Sequence, residues 1–175
     1  MLEIMQKQAF AQVFSIMEES FPLDEYRPYE EQKSLLKESK YRIYILPDSE
    51  NRKIKAFISI WQFADFAYIE HFAVAREYRS QGLGSRILDE IRQILPDQIC
   101  LEVELPENDT AKRRIEFYKR NGFFLNEYPY LQPPISKGRK SLPLMIMTSE
   151  ALLTEDRFET IKTDIYRNVY KVEHL

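Results

Sequence analysis

A glycine turn between two apolar segments constrains the fold of this chain more than any other feature. Residues 66–74 form an apolar run typical of a buried strand, and residues 83–95 carry leucine and isoleucine at helical spacing. The sequence has four glycines, and Gly82 and Gly84 stand between this strand and this helix. Apolar residues over 99–105 then alternate with polar ones, as in a strand with one buried face. Strand, helix and strand in this order predict a right-handed parallel crossover.

The segments on both sides of this crossover also alternate between helix and strand. No repeat, low-complexity tract or flexible linker divides the sequence, so we expect a single domain over 1–175. The predicted fold class is α/β (α+β), with one mixed, twisted central sheet flanked by helices. The further elements are helices over 6–19 and 110–120, a strand hairpin over 41–46 and 54–63, closing strands over 123–125 and 142–148, and a terminal helix carrying Phe158, Ile161, Ile165 and Val169.

Charge and composition exclude several classes of function. Lys and Arg number 25 against 28 Asp and Glu, whereas a general nucleic-acid binder needs concentrated positive charge. The one dense basic stretch, Lys137–Lys140, is interpreted as a solvated loop, and nucleic-acid binding there is the least favoured alternative. No apolar run could cross a bilayer and no leader pattern begins the chain, so we expect a cytoplasmic protein without a membrane partner. The single Cys100 and the separated His71 and His174 give no zinc spacing, so no metal is expected.

The glycine turn predicts an anion-binding site. A helix that starts here leaves about four backbone N–H groups without partners, and the positive end of the helix dipole reinforces them. Bare backbone at Gly82 and Gly84 would let a pyrophosphate approach these groups, with Arg79 and Arg86 adding charge at the rim. No lysine follows Gly84, which excludes a Walker loop, and Ile87 occupies the place of the third glycine of a dinucleotide fingerprint.

Two short motifs, in the order strand, loop, helix, strand and helix, carry a resemblance to a known family. Arg79, Gly82 and Gly84 resemble the Arg/Gln-x-x-Gly-x-Gly/Ala motif of the GNAT superfamily of N-acetyltransferases, whose loop holds the pyrophosphate of acetyl-CoA. The segment 117–123 is similar to the helix-to-strand segment of that family that ends in Tyr-x-x-x-Gly-Phe.

This resemblance implies both a fold and a reaction. It covers about residues 1–148 and implies the GNAT fold, in which a parallel strand pair splays apart at the CoA site. Residues 150–175 form a helical extension outside this common core, and both monomer and homodimer stay open. The implied reaction is direct transfer of an acetyl group from acetyl-CoA, as co-substrate and without metal, to a primary amine of a small molecule or peptide.

The resemblance also assigns roles to residues by position. Tyr118 would protonate the departing CoA thiolate, and Glu70 would take the amine proton, directly or through a water, with Glu104 as the second candidate. His71, which the strand pattern places opposite Glu70, is interpreted as a structural histidine. The residues that would bind acetyl-CoA lie at the end of the strand and in the glycine loop: Phe72, Ala73, Val74, Arg79, Ser80, Gln81, Gly82, Leu83, Gly84 and Ser85.

The second motif departs from the family pattern at two positions. Many members have Asn seven residues before the tyrosine and Ala four residues before it, whereas this chain has Ala111 and Arg114. The departure motivates an alternative function, an acyl-CoA-binding regulatory module without transfer activity. On the acceptor side, aromatic residues would suit a cationic amine, whereas Arg27 would suit an acceptor that carries a carboxylate.

Overall fold

The computed structural model describes residues 1–95 and 98–173, and the chain divides between residues 95 and 98 into two compact units. Each unit has its own strands and helices, so the mixed α/β class predicted from the sequence is confirmed. That residues 1–175 form a single domain stays a prediction.

The first unit is built on four antiparallel strands that follow chain order. They are β1 (Glu3–Ile4), β2 (Tyr41–Pro47), β3 (Ile54–Gln62) and β4 (Phe66–Val74), each paired with the next. The observed bounds of β2, β3 and β4 agree with the predicted ones within one residue. The sequence did not predict β1, because two residues are too few to show a periodic pattern.

A β-bulge interrupts the pairing of β3 with β4. Ser59 lies opposite His71 and Ile60 lies opposite Ile69, so Glu70 is an extra residue in β4. A bulge breaks the regular alternation of side chains between the two faces of a strand. The expectation that Glu70 and His71 face away from each other is therefore wrong, because a carboxylate oxygen of Glu70 lies 3.5 Å from Nδ1 of His71.

Helices pack on this sheet through single apolar stripes. Helix α1 (Phe10–Ser20) contacts β3 and β4, helix α2 (Tyr29–Ser34) is short, and helix α3 (Leu83–Ile94) contacts β4. The helix predicted over 6–19 thus begins later, after a turn of 3-10 helix over Lys7–Ala9. The buried stripes are Phe10, Val13, Phe14, Ile16 and Met17 in α1 and Ile87, Leu88 and Ile91 in α3.

The second unit contains three antiparallel strands in the order β5-β7-β6. They are β5 (Gln98–Glu104), β6 (Phe123–Gln132) and β7 (Leu142–Ser149). Strand β6 is longer than predicted because its pairing with β7 resumes at Tyr130 after a register shift. The basic stretch Lys137–Lys140 lies in the connection between β6 and β7, as predicted.

Helix α4 (Asp109–Arg120) begins one residue before the predicted start and ends at the predicted residue. The side chain of Asn108 accepts a hydrogen bond of 2.9 Å from the Ala111 N–H, which is a standard N-cap. Gly122 closes the helix in the left-handed conformation, with φ at +75°. Asn108 therefore has a structural role at the start of α4.

Helix α5 (Glu155–Ile165) and the π-helical segment Tyr166–Tyr170 make up the C-terminal extension. Phe158, a fully buried residue of α5, contacts the rings of Tyr128 and Tyr130 in β6. The apolar stripe of the extension is thus buried within its own unit. No helix of the described residues is long and apolar enough to cross a membrane.

Candidate active site

The glycine turn presents the first turn of α3 without a side-chain cap. Gly82 precedes the helix with φ at +75° and ψ at 1°, and Ser80 also has a positive φ of 62°. The first helical bond runs from the Arg86 N–H to the Gly82 carbonyl at 3.3 Å. Within the described residues, the N–H groups of Leu83–Ser85 have no backbone acceptor, so they can serve an anion.

Space around the turn fits a bound phosphate group. A Cβ added at Gly82 would meet no heavy atom within 4 Å, and Ser80 and Gln81 are exposed. Glycine is thus required here by the positive φ, and the open side of the turn is available to a ligand. The pyrophosphate of a coenzyme A molecule fits this set of backbone donors.

Arg79 ties the glycine loop to the rest of the first unit. Its Nε donates to the Val74 carbonyl at 2.9 Å, and its Nη2 donates to Oγ of Ser20 at 3.1 Å. Arg86 is ion-paired with Glu90 at 3.1 Å. Arg79 therefore fixes the loop at the end of β4, a structural role that the motif alone did not indicate.

The last residues of β4 precede this loop in the chain, with a turn of 3-10 helix over Arg76–Tyr78 between them. Phe72 and Val74 are half-buried and Ala73 is buried, and all three are paired with β3. Their backbone is thus held in the sheet, and the Val74 carbonyl accepts from Arg79 of the loop. This is the strand segment that the sequence assigned to the pantetheine arm, an assignment that stays a prediction.

Glu70 lies in a buried ion pair. Its side chain is 1% exposed, and Nη1 of Arg27 donates to its Oε1 at 2.7 Å. The second oxygen, Oε2, has no hydrogen-bond partner among the described residues, and Nδ1 of His71 lies 3.5 Å away. His71 is anchored from its other side, where Nε2 donates to the Glu25 carbonyl at 2.7 Å.

These contacts keep Glu70 ionised. Burial raises the pKa of Glu70, but Arg27 and His71 together outweigh burial and lower that pKa to about 2. A carboxylate with so low a pKa accepts a proton poorly near neutral pH. Oε2 of Glu70 carries part of this charge and is buried without a hydrogen-bond partner among the described residues.

Arg27 does not stand open to an acceptor. Its side chain is 6% exposed, and its guanidinium is engaged with Glu70. The structure thus gives no support to Arg27 as the site for a carboxylate of the acceptor. Two aromatic residues of the first unit, Trp61 in β3 and Tyr68 in β4, are 1% exposed and belong to the core.

Tyr118 lies on the buried stripe of α4. Its ring contacts those of Phe117 and Phe123 edge-on, with centroids 5.2 and 5.6 Å apart. Burial raises the pKa of Tyr118 to about 12, and the charge of Arg114 acts in the opposite direction. Nη1 of Arg114 is paired with Oε2 of Glu104 at 3.0 Å, so the second base candidate is engaged with a cation.

A match to a family model decides what kind of protein this is. The model of the acetyltransferase (GNAT) family matches residues 9–123, which include the glycine loop and Tyr118. The chain belongs to the GNAT acetyltransferase family. Membership implies acyl transfer from an acyl-CoA to an amine, as the sequence motifs predicted.

Individual relatives agree with this assignment. A solved structure from Bacteroides thetaiotaomicron, assigned as a GNAT acetyltransferase, is 34% identical with a TM-score of 0.90 and covers 98% of this chain and 99% of its own. YjbC of Bacillus subtilis (strain 168), assigned as an acetyltransferase, is 28% identical over 109 residues, or 61% of this chain and 54% of YjbC. A thialysine N-epsilon-acetyltransferase of Bos taurus is 36% identical over 55 residues, or 31% of this chain and 32% of that enzyme.

The chain thus spans about half or less of the length of these curated relatives. The GNAT fold expected from the sequence is confirmed by the solved relative, whose match extends over nearly the whole chain. Among the described residues, no group of three His, Cys, Asp or Glu side chains is placed to hold a metal ion.

The open space at Gly82 leads to a first prediction. Gly82→Ala is expected to destabilise the protein by about 1 kcal/mol, because alanine is strained at positive φ. It is also expected to weaken coenzyme A binding by about tenfold, because a strained turn presents the N–H groups that follow Gly82 less well to the pyrophosphate. Chemical unfolding and calorimetric titration measure the two effects.

Gly138 provides the matched control. It also has a positive φ, at +82°, and a Cβ there would likewise meet nothing within 4 Å. Gly138→Ala should therefore cost similar stability and leave coenzyme A affinity unchanged. Equal affinity losses in the two variants would contradict a specific role for the glycine turn.

The buried Glu70 pair leads to a second prediction, on stability against pH. Because the folded-state pKa of about 2 lies below the ordinary value of 4.5, ionised Glu70 stabilises the fold above about pH 5. This contribution, on the order of 3 kcal/mol, is lost as the pH falls towards 2. The stability difference between the unsubstituted protein and Glu70→Gln should therefore shrink from pH 7 to pH 3 in urea unfolding.

Glu50→Gln removes the same charge from an exposed turn and serves as the control. Its stability difference from the unsubstituted protein should change little over this range. A difference for Glu70→Gln that stays constant from pH 7 to pH 3 would show that Glu70 is not held ionised by Arg27 and His71.

Proposed function

We propose that this protein transfers the acetyl group of acetyl-CoA directly to a primary amine of a small molecule or peptide. The observation that carries the proposal is the exposed, uncapped start of α3, whose amides fit a pyrophosphate and follow β4 in the chain after the turn over 75–82. Family membership supplies the reaction class. The unpaired, buried Cys100 agrees with a reducing cytoplasm as the place of action, which we include in the proposal.

In this proposal, acetyl-CoA is held by main chain more than by side chains. The N–H groups over 80–85 bind the pyrophosphate, with Arg79 fixing the loop that presents them. Residues 72–74 bind the pantetheine arm through backbone groups. The bound thioester supplies an activated acetyl group that needs no further activation by the protein.

Glu70 prepares the attacking amine in this proposal. An amine is mostly protonated at neutral pH and must lose a proton before it attacks. The pKa of about 2 makes Glu70 a poor direct acceptor, so we assign it to hold, through Oε2, the water that carries the proton away. This role uses the fixed charge of Glu70, which the pair with Arg27 maintains.

Tyr118 completes the reaction as the acid for the leaving group. A thiol has an ordinary pKa of about 8.5, below the value of about 12 for Tyr118, so the transfer of its proton is uphill unless the product charge is stabilised. The hydroxyl must also lie beside the sulfur.

A regulatory acyl-CoA-binding module is the second candidate function. Ala111 and Arg114 favour it, because they replace the Asn and Ala that many family members have at these positions. The two functions differ in one measurement, the release of free coenzyme A from acetyl-CoA in the presence of a panel of primary amines that includes thialysine. The enzyme releases coenzyme A with at least one amine, whereas a binding module releases none.

Tyr118→Phe tests the acid directly. We expect kcat to fall by about 100-fold, because the leaving thiolate loses its proton donor. The dissociation constant of coenzyme A should stay within twofold, because phenylalanine keeps the packing against Phe117 and Phe123. Tyr128→Phe, on β6, is the matched control and should retain kcat. Full turnover in Tyr118→Phe, with chemistry shown to limit the rate, would overturn the acid role.

A further inference from the structure

We propose that Arg114 is a positioning residue for the acid of this reaction, stabilising the negative charge that Tyr118 acquires when it gives up its proton. Glu104 holds the guanidinium in place for this role. The inference rests on the proposed function and extends it to Arg114, a position at which the second motif departs from the family pattern.

The helix places Arg114 next to Tyr118. Residues four apart on an α-helix lie on the same side, one turn from each other, and Arg114 precedes Tyr118 by four. The buried stripe of α4 consists of Ala111, Ile115 and Tyr118, and Arg114 borders it as a half-buried side chain. The adjacent Arg113 is exposed and points elsewhere, towards Thr110 on its own helix.

The ion pair with Glu104 fixes the position of the guanidinium. Nη1 of Arg114 lies 3.0 Å from Oε2 of Glu104 at the end of β5, and both side chains are about one third exposed. A long arginine side chain otherwise samples many rotamers, and anchoring it to a strand removes that freedom. The same pair balances the charge of Glu104.

The surroundings of the Tyr118 ring are apolar, so a nearby cation is needed to stabilise a negative charge on its oxygen. Phe117 on α4 and Phe123 on β6 pack against its ring and offer no charge. Burial among them raises the pKa of Tyr118, and Arg114 is the group that counteracts burial. Without Arg114 the phenol would be a still weaker acid for a thiolate.

The proton balance of the step is simple. The O–H bond of Tyr118 breaks with its electron pair remaining on oxygen, and a lone pair of the departing thiolate takes the proton to form an S–H bond. The resulting phenolate is paired electrostatically with Arg114 until a water molecule returns a proton to it. Arg114 stays protonated throughout.

The test compares Arg114→Gln, Arg114→Lys and the control Arg113→Gln in steady-state acetyl transfer to the panel amine with the highest turnover. Arg114→Gln should lower kcat by about 3- to 10-fold with the KM for acetyl-CoA unchanged, because one unit of pKa corresponds to tenfold. Arg114→Lys keeps the charge and should recover most of kcat. Arg113→Gln removes the same charge from the exposed face of α4, and this variant should retain the kcat of the unsubstituted protein.

A double variant separates action through Tyr118 from every other role. In the Tyr118→Phe background no phenolate forms, so Arg114→Gln should lower kcat by less than twofold. An equal loss in both backgrounds, or a raised KM for acetyl-CoA with kcat retained, would overturn the inference. So would full kcat in Arg114→Gln.

The experiments distinguish failure of the proposed function from failure of the role of Arg114 alone. If the unsubstituted protein released no coenzyme A with any amine, or if Tyr118→Phe kept full kcat, the reaction or its acid would be wrong and the inference would fall with it. If Tyr118→Phe is impaired and Arg114→Gln is not, only the inference fails.

Discussion

The start of helix α3 imposes the constraint on which this account depends. A helix must leave its first N–H groups without internal partners, and Gly82 turns the chain into α3 without offering a side chain to satisfy them. The turn is held in place by the side chain of Arg79, which donates hydrogen bonds to the end of β4 and to α1. The result is a rigid set of exposed donors, which is suited to an anion that arrives with the substrate.

In β4, in contrast to the exposed donors at the start of α3, a charged group is buried and paired within the protein. Glu70 and Arg27 form a buried pair, and burying two charges is favourable only when each is well matched. The bulge makes this arrangement possible, because it brings Glu70 and His71 together on the strand. His71 and Arg27 both connect β4 to the segment between α1 and α2, so the pair also fixes that segment. The pair therefore keeps the carboxylate of Glu70 ionised and fixed in position within the first unit.

The sequence predicted the elements whose patterns are local and missed the contacts that are not. Periodicity and capping residues were enough to place β4, α3 and α4, and the glycines marked both the ligand turn and the end of α4. The bulge at Glu70 has no local pattern, so strict alternation gave the wrong relation between Glu70 and His71. The pair of Glu70 with Arg27 joins residues 43 positions apart, which no spacing rule could identify. The extension of β6 to Gln132 depends likewise on pairing with β7.

The central claim is that backbone amides of the glycine turn bind the pyrophosphate of coenzyme A. Calorimetric titration of the unsubstituted protein with coenzyme A and, separately, with pantetheine tests this claim most directly, because pantetheine has the thiol arm and lacks the pyrophosphate. We expect coenzyme A to bind with a dissociation constant at least about tenfold below that of pantetheine, a difference of about 1.4 kcal/mol. No heat of binding at millimolar coenzyme A, or equal affinity for the two ligands, would contradict it.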